Sequence, residues 1–244
     1  MVPSKAILLA AGKSSRIAAL SRGLPKPLIR VAQTPIIIRN LRWLKGQGIA
    51  EVCINVHFEP QEIRAAVGDG SAFGLAVRYI EESEILGTAG AVRNIAANWT
   101  EIFALVYGDN LISTDLPRLA EVHQLSGAII TIGLFDRRIH PHTGIAGGRV
   151  RVDHAGRIEA FMEGAGDELS TLVNAGIYLM GPSAVHQIPA GCFFDFGRDL
   201  FPAMLDANLH LQGELITGYC LGLDTPESYD QALAIVEEGK VILE

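Results

Sequence analysis

Cysteine is scarce in this chain, and what there is does not pair by pattern. Cys53, Cys192 and Cys220 are odd in number, widely separated and form no Cys-x-x-Cys unit, which excludes a disulfide framework or a zinc knuckle and points to a reducing compartment. Long apolar runs are missing too. Nothing approaches the ~20 residues of a membrane span, and residues 6–11, preceded by one basic side chain, are too short for the core of a secretion signal. Positive charge is in deficit: 20 Lys and Arg stand against 27 Asp and Glu, a net charge of -7, so the overall field does not suit a protein that grips nucleic acid or an anionic membrane. Histidines do not cluster, since His140 and His142 merely flank Pro141, His57 follows a predicted strand, and no pair has zinc spacing. No Ser-His-Asp or Cys-His set with a nucleophile turn is present. These absences lead us to expect a cytoplasmic protein with neither nucleic acid nor a membrane as partner; a homo-oligomer is compatible with all of them.

What is present is a large apolar share, 49% of 244 residues, enough for the core of one large α/β domain or two intimate ones. Strand-length apolar runs at 5–10, 51–56, 76–80, 102–107 and 128–135 alternate with stretches of helical period at 36–47, 59–67, 88–97 and 115–125. That alternation predicts right-handed βαβ units and an α/β fold with a Rossmann-like, mostly parallel sheet covered by helices on both faces. Ile36, Ile37, Leu41, Leu44 and Ile49 recur near helical spacing, and Gly48 stands where a helix C-terminal glycine belongs. From about residue 136 the texture changes to shorter strands joined by glycine-rich turns, at 149–152, 158–161 and 173–179, which predicts a small lid or acceptor-binding subdomain on the sheet. A last helix over 226–238 begins at Pro226 with Thr225 or Asp224 as its cap.

Chemistry-bearing residues gather at the ends of the predicted strands. The run Ala6-Ile7-Leu8-Leu9-Ala10-Ala11 breaks at Gly12 into Lys13-Ser14-Ser15-Arg16, and Leu24-Pro25-Lys26-Pro27-Leu28 follows. Small residues let the backbone approach a ligand, the N–H groups of such a turn can converge on an anion, and Arg16 and Lys26 supply positive charge. The turn has neither a Gly-x-Gly-x-x-Gly nor a Walker ending, so taken alone it reads equally well as a plain strand-to-helix turn. Val106-Tyr107-Gly108-Asp109-Asn110 ends an apolar strand with an acid, where open α/β sheets place ligand-binding groups, and a hard cation that bridges phosphates needs only one or two protein carboxylates. The plain alternative is a turn-forming Asp. Asp115, ahead of Leu116-Pro117, is expected to cap a helix. Phe193-Phe194-Asp195-Phe196 with Phe201 reads as core or pocket wall.

Together these segments resemble the sugar-1-phosphate nucleotidyltransferases, or NDP-sugar pyrophosphorylases, whose loop Leu-Ala-Ala/Gly-Gly-x-Gly-Thr-Arg-Leu is followed by Pro-Lys-Pro-Leu. Here the loop reads Leu9 to Ile17, with Ser14 at the second glycine. The stretch from Glu84 through Leu86-Gly87-Thr88-Ala89-Gly90 to Ala91 is similar to the family's Leu-Gly-Thr-Ala-Gly segment. The resemblance implies that Ala10, Ala11, Gly12, Lys13, Ser14, Ser15, Gly87 and Thr88 bind the nucleotide, and that Glu82 faces the base edge. A carboxylate there accepts from two adjacent N–H groups, which suits guanine better than uracil or thymine; the other reading of Glu81, Glu82 and Glu84 is a solvated acidic turn. Asp109 would carry Mg²⁺. Phe161-Met162-Glu163 followed by Asn174-Ala175-Gly176-Ile177-Tyr178 resembles the family's acceptor segment, which implies Gly108, Glu163 and Asn174 on the sugar. The family's lysine after the glutamate is Gly164 here, so Arg198, Lys13 or another cation would replace it. The segment Gly218 to Tyr229 is similar to the family's Gly-x-Trp-x-Asp-Ile-Gly-Thr-Pro-Glu-x-Tyr, with the metal-binding Asp falling on Gly222 and an acid at Asp224 instead, roughly 6.5 Å further along the strand. Three readings stay open: Asp224 reaches the metal through a shifted backbone, Asp109 and waters hold it, or Asp224 caps the last helix.

The resemblance spans residues 8 to 229 in family order and implies a GT-A-like fold, with 1–135 as the nucleotide-binding core and 136–244 as the acceptor-binding part and closing helix of a single domain. It implies Mg²⁺-dependent transfer of a nucleotidyl group from an NTP, GTP favoured, to a sugar 1-phosphate, with Arg16, Lys26 and Asp109 as the catalytic residues and Asp109 and Asp224 as metal ligands. The absence of left-handed β-helix repeats leads away from bifunctional acetyltransferase versions, and the pattern resembles bacterial mannose- or heptose-1-phosphate guanylyltransferases. Two other readings are carried alongside: uridylyl or cytidylyl transfer to another sugar or non-sugar phosphate, and a catalytically silent nucleotide-sugar-binding regulatory subunit.

Overall fold

Side chains that alternate between two core clusters along three strands show how the sheet is covered, in a computed structural model that describes residues 2–12, 17–21, 23–145, 147–164 and 169–243. Ala6 and Leu8 of the strand Lys5–Leu9 face one core cluster, while Ile7 and Leu9 face the other. The strands Glu51–Val56 and Phe103–Tyr107 divide the same way, so both faces of the sheet are dry. Phe103–Tyr107, Lys5–Leu9, Glu51–Val56 and Ala76–Glu81 lie side by side in that order, all parallel. Parallel neighbours need crossovers, and the helices Ile36–Gly46, Pro60–Val67 and Gly87–Ala96 supply them. Ile37, Leu41 and Leu44 of the first helix pack on one face, and Ala89, Val92 and Ala96 of the third pack on the other.

The second half of the chain joins the same sheet rather than sitting apart from it. The strand Leu172–Met180 pairs antiparallel with Phe103–Tyr107 and with Ile130–Asp136, and Arg149–Val152 with Ile158–Met162 extends the sheet at that end. The apolar run predicted at 128–135 is therefore a strand over 130–136, but it runs antiparallel to Leu172–Met180 because a return strand, not a crossover helix, brings the chain back. Among the elements that escaped the pattern of the sequence are a widened helical turn at Phe196–Leu200, the helix Phe201–Asp206 that continues it, and the strand Leu211–Leu215. Their apolar residues are too few for a period. Phe196 and Phe201 are instead fixed by tertiary packing, their rings 5.1 and 5.3 Å from that of Tyr178.

A small second sheet ties the chain's end to the nucleotide side. The strand Cys220–Gly222 pairs antiparallel with Asn110–Ile112, Gly222 opposite Asn110, which turns residue 224 back toward residue 109. The helix Pro226–Glu237 then starts on a capping box in which the Thr225 hydroxyl accepts from Ser228 N–H, so Thr225 rather than Asp224 is the cap. This helix packs through Ala232 on Ile17, Ile29, Val31 and Ile36, and the Tyr229 hydroxyl donates to the Arg30 carbonyl at 2.8 Å. Asp115 caps its helix as expected, accepting from Arg118 N–H at 3.0 Å. Among the described residues no helix is long and apolar enough to cross a membrane.

Candidate active site

Two clefts open side by side at the C-terminal ends of the parallel strands, the place where open α/β sheets bind ligands. One, about 290 Å³, is walled mostly by main chain and apolar groups, among them Ala10, Ala11, Gly12, Ile85, Gly87 and Phe193, and is called here the Ala-Gly cleft. The other, about 420 Å³, is the acidic cleft, lined by Asp109, Glu163, Asp195 and Asp224 with Asn174 and Arg198. Thr88, Tyr107, Asp109 and Asp195 line both. Volumes of this order suit small ligands.

The wall of the Ala-Gly cleft is held by a buried relay of amides and a carboxylate. Ala10 N–H donates to Asn55 Oδ1 at 2.8 Å, Asn55 Nδ2 donates to Glu82 Oε1 at 2.8 Å, and Leu86 N–H donates to Glu82 Oε2 at 3.3 Å. Glu82 is 5% exposed while Glu81 and Glu84 face solvent, so the solvated acidic turn holds for its neighbours and not for Glu82. Each Glu82 oxygen keeps one lone pair beyond these bonds. Gly87 has φ +73°, and a Cβ there would lie 2.5 Å from the Phe194 carbonyl oxygen, so only glycine lets segment 192–194 come this close. That carbonyl accepts from both Ala89 and Gly90 N–H at 3.0 Å, capping the helix Gly87–Ala96. Lys13, Ser14, Ser15 and Arg16 lie outside the described residues.

At the seam between the clefts, Lys26 joins two carboxylates from opposite ends of the chain. Pro25 and Pro27 shape a short 3₁₀ turn that buries Lys26, and its Nζ lies 2.9 Å from Asp109 Oδ2 and 2.6 Å from Asp224 Oδ1. Burial pulls the ammonium's pKa down, but attraction to Asp109 and Asp224 and the hydrogen bonds to them outweigh it, and the net shift is upward. Asp224, not residue 222, meets Asp109: a Cβ on Gly222 would lie 2.4 Å from Ile145 Cγ1 and 2.8 Å from the Thr143 carbonyl, which leaves no room there for a carboxylate. The ammonium marks a cation position between two hard oxygen donors. Among the described residues no third carboxylate, His or Cys joins them, so the pair fits an ion that arrives with phosphate oxygens of its own.

The acidic cleft is built from side chains. Asn174, 5% exposed, donates from Nδ2 to the Tyr178 hydroxyl at 2.7 Å and accepts Gly176 N–H on Oδ1 at 3.0 Å, which leaves one N–H and one lone pair of the amide. Glu163 lies over Gly197, whose hydrogen makes room for it. Loss of water around the Glu163 carboxyl pushes its pKa up, Asp195 adds to this, and Arg198 opposes it. Asp195 Oδ1 accepts Gly197 and Arg198 N–H, and its Oδ2 accepts the Thr88 hydroxyl at 2.8 Å. Gly108, expected on the sugar, is buried against Leu9, with its N–H on the Leu9 carbonyl at 2.8 Å, and lines neither cleft; a Cβ would lie 2.7 Å from that oxygen.

Residues 5–230 match the model of the family described as Nucleotidyl transferase. The chain belongs to that family. It is 32% identical over 236 residues to a mannose-1-phosphate guanylyltransferase of Mycobacterium tuberculosis, covering 96% of this chain and 65% of the relative. It is 33% identical over 219 residues to a UTP–glucose-1-phosphate uridylyltransferase of Synechocystis, covering 84% of this chain and 56% of the relative. The chain thus spans just under two thirds of the curated relatives it matches. HddC from Yersinia pseudotuberculosis complexed with GMP-PN shares the fold with a TM-score of 0.78 at 22% identity, over 96% of this chain and 100% of that one.

Within this family member, Asn55, Tyr107 and Ile85 line a cleft without a site role read from the sequence, while Phe193 and Asp195 lie in the run read as core or pocket wall. Asn55 carried no motif and is visible only as a polar residue in a buried strand, 3% exposed. Tyr107 looked like the last apolar residue of a strand. Ile85 and Phe193, 41% and 60% exposed, face one cleft from two distant segments, and Asp195 was hidden in a run of phenylalanines.

Proposed function

We infer that this chain catalyses Mg²⁺-dependent transfer of a nucleotidyl group from an NTP to a sugar 1-phosphate. The observation that carries the reading is the pair of clefts meeting at Asp109, with a cation position between Asp109 and Asp224 at the junction. A phosphate oxygen of the sugar 1-phosphate attacks the α-phosphorus, the bond to the β-phosphate bridging oxygen breaks, and pyrophosphate leaves. No enzyme-bound intermediate is needed, so catalysis is positioning and charge stabilisation. Bound Mg²⁺ would offset charge on the nucleotide phosphates, held by Asp109 and Asp224. Lys26, released from one carboxylate as phosphate enters, and Arg16 contribute fixed positive charge. Arg198, the one cation among the described residues lining the acidic cleft, takes the place of the lysine absent at Gly164 and receives the acceptor phosphate. Glu163 and Asn174 receive sugar hydroxyls. On this reading residues 1–135 bind the nucleotide, and 136–244 supply most of the acceptor site.

GTP is the favoured donor, because each oxygen of Glu82 keeps a lone pair for the adjacent N1–H and N2–H of guanine. Transfer from UTP is the second reading, favoured by the same bonds: Asn55 and Leu86 already engage both oxygens, which gives Glu82 a structural role without any base contact. Ile85 and Phe193 supply apolar faces for either base. The relatives' names, guanylyltransferase and uridylyltransferase, support the common activity and divide on the base. The test is pyrophosphate release with Mg²⁺ and each of the four common NTPs, against mannose, glucose and heptose 1-phosphates. GTP is expected to exceed UTP; a reversal establishes the second reading. Binding of an NDP-sugar without turnover on any pair makes the chain a regulatory subunit and removes the proposal.

A further inference from the structure

Tyr107 stands in the wall that the two clefts share. Its ring rests on Gly176, where φ is +74° and a Cβ would come within 3.1 to 3.3 Å of the tyrosine, so the ring's seat exists only because residue 176 is glycine. The neighbouring Tyr178 ring meets it edge to face, centroids 5.8 Å apart. The Tyr178 hydroxyl donates to the Tyr107 hydroxyl at 3.3 Å, and the Tyr107 side chain shares the wall with Thr88 and Asp195.

The directions of these bonds are fixed by their two ends. Asn174 Nδ2 can only donate, so the Tyr178 oxygen accepts and its proton points to Tyr107. At the other end Tyr107 accepts that proton; separately, an ionised Asp195 can only accept, so the Thr88 proton is committed to Asp195 Oδ2, and Thr88 Oγ1 accepts Phe196 N–H at 3.0 Å. Burial pushes both phenol pKa values up, so both remain donors. The chain runs one way, from an amide in the acidic cleft, through the Tyr178 hydroxyl, to Tyr107 in the shared wall.

We propose that Tyr107 is a positioning residue: its hydroxyl, accepting the Tyr178 proton, turns the Tyr178 oxygen to Asn174 and so sets the Asn174 amide in the orientation that receives hydroxyls of a pyranose ring, and acceptor recognition is built into the wall of the nucleotide site. The proposal deepens the reading of the acidic cleft as a sugar 1-phosphate site and rests on it. A cut in the chain at Tyr107 frees the Tyr178 hydroxyl to reorient, and with it the Asn174 amide, while the ring keeps its seat on Gly176.

Tyr107→Phe is the first test, with Tyr178→Phe as the second and the double variant as control. Tyr107→Phe is expected to raise the acceptor KM about tenfold, with the NTP KM changed less than about twofold and kcat within about threefold. Tyr178→Phe is expected to act in the same sense, and the double variant to be no worse than the stronger single, because both cut one chain. A parallel readout without turnover is calorimetric binding of GDP-mannose against GDP, where only the former should weaken. If the parent chain turns over and Tyr107→Phe leaves the acceptor KM unchanged, raises both KM values alike, or adds fully to Tyr178→Phe, the proposal is overturned. If the parent binds GDP-mannose but never turns over, the catalytic reading fails, while the ratio of the two affinities still decides the role of Tyr107. A parent that does neither ends both.

Discussion

The Ala-Gly cleft offers a ligand mostly main chain and apolar walls, with Glu82 as its buried carboxylate, whereas the acidic cleft offers side chains: Asp109, Glu163, Asp195 and Asp224 against Arg198, with Asn174 between them. The first is fixed by strand ends that sit next to one another in a parallel sheet, so its shape is set as soon as the sheet forms. The second is assembled from Asp109, Asp224 and the segments around 147, 163, 174 and 195, which antiparallel strand pairing and side-chain bonds such as Thr88 to Asp195 align. The contrast implies different electrostatic logic. A cleft with four carboxylates admits an anionic ligand only together with cations, and the cations at hand are Arg198, Lys26 and an ion between Asp109 and Asp224.

The comparison predicts that changes at the seam damage both sites and changes inside one cleft damage one. Asp109→Asn sits at the seam and carries the largest effect: a loss in kcat on the order of 10²- to 10³-fold is expected with little change in Tm, and a loss under tenfold would break the link between the cation position and turnover. Lys26→Met comes next. Without metal, two carboxylates lose their shared cation, and stability should fall by about 2 kcal/mol, short of a fully buried pair because the Asp109 side chain is 38% exposed. Millimolar Mg²⁺ or Ca²⁺ should then raise Tm in this variant more than in the parent. Equal responses in thermal melts would deny that the two aspartates form a cation site.

The smallest effect belongs inside the acidic cleft. The Glu163 carboxyl pKa is raised, so acceptor kcat/KM should fall on the acid side through a limb above pH 4.5, and Glu163→Gln should flatten that limb with the NTP KM unchanged. The stability sign runs the other way. A raised carboxyl pKa means the folded state holds its proton more tightly than the unfolded chain does, so ionisation lowers stability as pH rises from the unfolded pKa to the folded one. Glu163→Gln should therefore melt at the same temperature as the parent or slightly higher at neutral pH. A lower Tm there would recast Glu163 as structural.

How far the sequence foretold this molecule follows from the same contrast. Buried parallel strands write themselves as apolar runs, and a backbone cradle writes itself as Ala10-Ala11-Gly12 or Leu86-Gly87-Thr88, so these elements were placed within a residue or two. Thr88, Glu163 and Asn174 were legible through family spacing, Asp224 as an acid two residues beyond the position that spacing gives, and the structure brings the four to one cleft. Asn55, Tyr107 and Asp195 were not, because an isolated polar side chain in an apolar stretch has no period and no spacing; its meaning comes from partners such as Glu82, Thr88 and Tyr178, 27 to 107 residues away. Gly108 was legible as a motif but not in its role, which is to let the Leu9 carbonyl approach.

The antiparallel pairing of Leu172–Met180 with Phe103–Tyr107 bears on how the chain is made as well as on what it binds. During synthesis from the N-terminus, Phe103–Tyr107 can dock on Lys5–Leu9 early, but its other edge stays bare until Met180 has emerged. Throughout that interval the nascent chain presents an apolar strand with unpaired backbone groups, the kind of edge that recruits other chains. The strand that completes the acidic cleft is also the one that ends this exposure.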